Sequence, residues 1–143
     1  MGGRPMGGRL TRAALAAGLL ALVPSLAAAA PTIDAMRGHR RVLLVASPAS
    51  DPRLAQQRRV LAQWRRGARD RDVSLVEVSG DRVRGSADSA KLLRHQWRLP
   101  PGEFQAVLIG KDGHEVLRER HPLAARMLQR TIDAMPMRRA GQR

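Results

Sequence analysis

Along the chain, short apolar runs alternate with amphipathic stretches, and each run carries its own structural period. Residues 41–46 (Arg-Val-Leu-Leu-Val-Ala) are continuously apolar after the first position and include β-branched residues. Such a run suits a strand covered on both faces, as in a parallel sheet. Residues 47–52 form a loop that ends in a helix start, with Asp51 as N-cap and Pro52 at the first helical position. At 100° per residue, Leu54, Val60, Leu61, Trp64 and Ala68 fall on one side of a helix over residues 52–69, with Gln57 at the rim of that side. Arg58, Arg59, Arg65, Arg66 and Arg69 fall on the other. Residues 73–78 predict a second strand and residues 82–88 an irregular segment. Ser86 or Ser89 caps a short helix running to Trp97, with Leu92, Leu93 and Trp97 inward. Residues 104–109 and 115–118 predict two strands joined by a turn whose Asp112-Gly113 pair signals a hairpin. His121-Pro122 opens a last helix that turns Leu123, Met127, Leu128, Thr131, Ile132 and Met135 to one face, and Pro136 stops it.

The resulting order is β-α-β-α-β-β-α. A helix crosses between the first two strands, so they are expected to be parallel with a right-handed crossover. The last two strands form a hairpin. A four-stranded mixed sheet flanked by helices, a three-layer α/β fold, accommodates this order.

Ahead of these elements lies a different pattern. Arg4, Arg9 and Arg12 precede an uncharged Ala/Leu-rich run over residues 13–23. Pro24-Ser25 interrupts it, and small residues fill 27–30. This basic, apolar, small-residue order is that of a secretory signal peptide, with Ala27 and Ala29 fitting cleavage after Ala29. The competing reading is an uncleaved anchor, which the Ala content and Pro24 disfavour. The expected organisation is a signal peptide over 1–29, a polar linker over 30–40, one folded domain over 41–137 and a basic tail over 138–143. The mature chain is then exported, periplasmic or secreted, and holds no transmembrane helix.

Composition narrows the chemistry. The 143 residues include 26 Lys+Arg against 12 Asp+Glu, for a formal net charge of +14, and no cysteine. Without a thiol there is no disulfide, thiolate metal site or thiol redox centre. Trp64, Trp97 and Phe104 are the only aromatic residues, too few to build a stacking platform for single-stranded nucleic acid. Export and the lack of a reading motif argue against nucleic acid as a partner. The four histidines show no ligand spacing, so no metal or other cofactor is expected. No phosphate-binding loop or nucleophile elbow is present.

Several motifs together resemble a family of exported bacterial domains catalogued as domain of unknown function 4174. They are the strand-loop-helix of residues 42–54 with its Pro- and Asp-containing loop, the Arg71-Asp72 pair before the second strand, the Gly110-Lys111-Asp112-Gly113 hairpin, and the tail Ile-Asp-Ala-Met-Pro-Met-Arg-Arg over 132–139. The resemblance spans the mature chain, and the element order is similar to that of the thioredoxin-like fold. It implies that fold and no reaction. Thioredoxin-like enzymes place a reactive cysteine between the first strand and the next helix, where this chain has residues 47–52. They place a cis-proline before the hairpin strand, where the matching position is Gln105.

Two candidate surfaces follow. Ser47, Ser50 and Asp51, beside Gln105, would hold a small anion, peptide or protein at the start of the first long helix. An ordinary turn capped by Asp51 is the plainer reading. Arg58, Arg59, Arg65, Arg66 and Arg69 would contact an anionic envelope surface. Of the acids, only Asp70, four residues after Arg66, stands at that spacing from these arginines to relieve their mutual repulsion. Against that, 24 Arg to 2 Lys is a general bias of the whole chain. The favoured function is a non-redox binding or accessory module of the cell envelope. The alternatives are electrostatic attachment through the arginine face and an enzyme with non-thiol chemistry.

Overall fold

The computed structural model describes residues 2–3, 28–136 and 140–141. Of the expected signal peptide over 1–29, residue 1 and residues 4–27 lie outside the described residues, as do residues 138–139 and 142–143 of the basic tail. β1 (Arg41–Ser47) is buried along its whole length and sits at the middle of a five-stranded sheet ordered β3-β2-β1-β4-β5. It runs parallel to β2 (Val73–Ser79) and antiparallel to β4 (Gln105–Ile109). β5 (Glu115–Glu119) closes the hairpin with β4. The fifth strand is β3 (Arg82–Arg84), which pairs antiparallel with β2. Four strands were expected. β3 escapes a periodicity search because the alternation Arg-Val-Arg is only three residues long, and its place is fixed by pairing to β2. Gly85, at φ +85°, leaves this strand with its Cα against the Leu75 carbonyl, where a Cβ would lie 2.2 Å from the oxygen.

Alternation along β1 divides the core between two faces. Val42, Leu44 and Ala46 join Val76, Val78, Val107 and Ile109 on one face, under Leu93 of α4 (Ala90–Gln96) and under Ile33 and Met36 of α1 (Ile33–Met36). Leu43 and Val45 join Ala106 and Leu108 on the other. That face is covered by Leu54 of α2 (Pro52–Gln63) and by Leu128 and Ile132 of α5 (Ala125–Asp133). Two apolar faces on one sheet require two helical layers, and the chain supplies both.

Four local expectations are corrected. Residues 30–40 were read as a linker, but α1 lies there, capped by Thr32, and Ile33 and Met36 enter the core. The predicted helix over 52–69 is two helices, because Trp64 (φ −95°, ψ 17°) separates α2 from α3 (Arg65–Asp70). Leu92 is 49% exposed, whereas Leu93 is fully buried, since seven residues of α4 offer the sheet only a narrow stripe. Met127 is 38% exposed and α5 begins at Ala125, so Leu123 reaches the core from the preceding loop. Of the two serines proposed to cap α4, Ser89 does so, accepting from the Leu92 N–H.

Candidate functional site

The loop between β1 and α2 does not assemble the surface expected of it. Asp51 caps α2 through the Arg53 N–H at 2.9 Å, and its carboxylate also holds the Arg53 guanidinium at 2.7 Å. That side chain is only 6% exposed. The Arg53 hydrogen bonds hold its carboxyl below the usual carboxylate value. The positive end of the helix is therefore already met by an internal anion. Ser50, at φ +65°, is exposed on the turn, but Ser47 is wholly buried. Register explains why Gln105 does not join them. It pairs with Ala46, so it shares the α1/α4 face, whereas Ser47 follows Leu43 and Val45 on the opposite face. Gln105 is buried beneath Arg118, whose guanidinium donates to the Gln105 side-chain oxygen, to the Trp97 carbonyl at 2.9 Å and to Glu115 at 2.6 Å.

The arginine face divides in the same way. Arg58 is committed internally, since its guanidinium makes a two-pronged pair at 2.6 and 2.7 Å with Glu77, a buried carboxylate in the middle of β2. Arg59, Arg65, Arg66 and Arg69 are exposed, and among the described residues their side chains enter no ion pair or hydrogen bond. The last three rim a shallow hollow of about 340 Å³ with Ala62, Gln63 and Asp70.

A third region was missed as a site. Three of the motifs behind the family resemblance, Arg71-Asp72, the Gly110–Gly113 turn and Asp133 of the tail, meet at the end of the sheet where β1 begins, whereas the loop of residues 47–52 lies where β1 ends. Lys111, buried, donates to Asp72 at 2.8 Å. That hydrogen bond, aided by the charges of Arg40 and Arg41, holds the Asp72 carboxyl below its ordinary value. Arg71 makes a two-pronged pair with Asp133 at 2.9 and 2.8 Å and lies over the Trp64 ring, 5.7 Å from its centroid. Buried Arg41 donates to the Arg71 carbonyl at 2.8 Å. The Gly38 N–H donates to the Lys111 carbonyl at 2.7 Å, tying the end of α1 to the same place. The signal in the sequence was the motifs themselves, which periodicity could not bring together. Among the described residues no group of three or more His, Asp or Glu is placed to hold a metal ion, and no helix is long and apolar enough to cross a membrane.

These features describe a mixed α/β domain in which Arg71, Asp72, Lys111 and Asp133 gather at one pole. Residues 32–141 match the family described as Domain of unknown function (DUF4174), and the chain belongs to that family. A search of curated proteins returns no match.

Proposed function

We propose that this chain is an exported, cysteine-free module with a thioredoxin-like arrangement, which attaches to anionic lipid surfaces of the cell envelope through the α2–α3 arginines. The strand order, with β1 between a parallel β2 and an antiparallel β4, supports the thioredoxin-like reading. The leader pattern over residues 4–30 supports export. The observation that carries the attachment is the contrast among the arginines of α2 and α3. Arg58 is used by Glu77, while Arg59, Arg65, Arg66 and Arg69 are exposed and have no internal carboxylate among the described residues.

The test is sedimentation of residues 30–143 with vesicles of phosphatidylglycerol mixed into phosphatidylcholine. A basic residue near such a surface contributes about 1 kcal/mol, so replacing all four arginines by Gln should weaken binding at least about a hundredfold. Retention should fall as NaCl rises from 50 to 300 mM. Arg126→Gln with Arg130→Gln, elsewhere on the surface, should leave retention nearly intact. An equal loss of binding free energy per charge removed in the two variants would reduce the effect to net charge alone, and the assigned face would be wrong.

A further inference from the structure

The pole where Arg71, Asp72, Lys111 and Asp133 meet also borders an open cavity. A cavity of about 580 Å³ lies between the β4–β5 turn and the C-terminal end of α5. That volume is in the range of small-molecule sites, about 300–1,000 Å³, which are mostly apolar with a few placed polar groups. Val116, Met135 and Pro136 supply apolar wall. The residues lining it that are buried and charged are both cationic, Arg41 and Lys111. The carboxylate that lines it, Asp112, is exposed, and its Oδ1 accepts from the His114 N–H at 3.0 Å.

Lys111 is the informative group. An ammonium has three N–H donors. Among the described residues Asp72 is its one hydrogen-bond partner, and Asp72 does not line the cavity. Two donors of a buried cation, on a residue that lines an apolar space, are left without a partner among the described residues, and buried donors are normally satisfied. A carboxylate suits them, since it accepts charge-assisted hydrogen bonds and complements the sign of the lining.

We propose that this cavity binds a small amphipathic carboxylate, its aliphatic body against Val116, Met135 and Pro136 and its carboxylate on Lys111. The site is separate from the α2–α3 arginine face. The experiment is titration of the isotope-labelled full chain with octanoate, well below micelle formation, followed by amide chemical shifts. Changes should concentrate in residues 110–116 and 131–136. Octan-1-ol should bind at least about tenfold more weakly, because a hydrogen bond to a charged group contributes about 1.5–3 kcal/mol. Lys111→Met leaves Asp72 without its cation and risks the fold. Thr131→Trp, a filling substitution on a half-buried wall position, therefore carries the test and should abolish the local changes while the remaining spectrum is preserved. The variant with Arg59, Arg65, Arg66 and Arg69 all changed to Gln should bind octanoate unchanged, which separates this site from the surface one. Equal affinity for octan-1-ol, shifts confined to α2–α3, or undiminished binding by Thr131→Trp would each overturn the assignment.

Discussion

Single polar side chains inside the core show how much a residue can depend on partners distant in sequence. Gln57 is fully buried on α2, where its pattern position placed it at a rim. Its amide serves one backbone unit twice, donating to the Leu123 carbonyl at 3.0 Å and accepting from the Leu123 N–H at 2.7 Å. This satisfies the loop entering α5, whose buried N–H and C=O groups have no ladder to join. Gln57→Leu orphans both, and at about 1–3 kcal/mol for an unsatisfied group it should lower stability in urea denaturation by about 2–4 kcal/mol. Asp72 shows the same dependence through charge. Lys111 holds its carboxyl below the ordinary value, so the folded state favours the ionised form. That contribution is complete above the ordinary carboxylate range, near pH 4, and disappears as pH falls through the lowered folded-state value. Asp72→Asn should thus be less stable at pH 7 and lose less between pH 5 and 2. The flattening is partial because Asp51 and Glu115 are lowered in the same direction by Arg53 and Arg118. Urea midpoints across that pH range measure it.

Among the elements, the α2–α3 break shows packing overruling helical continuity. Trp64 joins the core cluster beneath α5, and the chain turns at that residue before α3 begins. Gly67 makes the turn possible, since a Cβ there would fall 2.0 Å from the indole nitrogen. In an open helix, Gly→Ala gains about 1 kcal/mol. Here Gly67→Ala should destabilise, because the ring it meets is held between the core and the Arg71 guanidinium. A lowered Tm with altered tryptophan fluorescence is the expected result, and a raised Tm would show that the ring moves aside freely. Of the apolar side the pattern supplied, Leu54, Leu61, Trp64 and Ala68 pack in one cluster, and Val60 does not join it. It could not show the break, because neither neighbour of Trp64 is a helix breaker.

The whole molecule carries its charge unevenly. Glu77, Asp51, Asp72, Asp133 and Glu115 are each paired with a named cation, so these pairs are balanced and the excess of basic over acidic residues is carried outside them. Such an excess opposes the compact state by self-repulsion, and salt screens it. Raising NaCl from 10 to 150 mM at pH 7 should therefore raise Tm by several degrees, as a gain of about 1 kcal/mol does in a domain of this size. A fall in Tm would mean that the ion pairs, which salt also weakens, outweigh the repulsion.

Local physics was enough to write down the central strands, the parallel β1–β2 pair, the β4–β5 hairpin and the absence of thiol chemistry. These follow from runs of apolar residues, an Asp-Gly turn and residue counts, all of which act over a few neighbours. Tertiary structure alone decided that Ser47 and Gln105 face opposite sides of the sheet, that Arg58 is spent on Glu77, and that α1 belongs to the core. It also gathered Arg71-Asp72, Gly110-Lys111 and Asp133 at one pole. Contacts between residues 19 to 62 positions apart depend on register and crossover, which no local period reports.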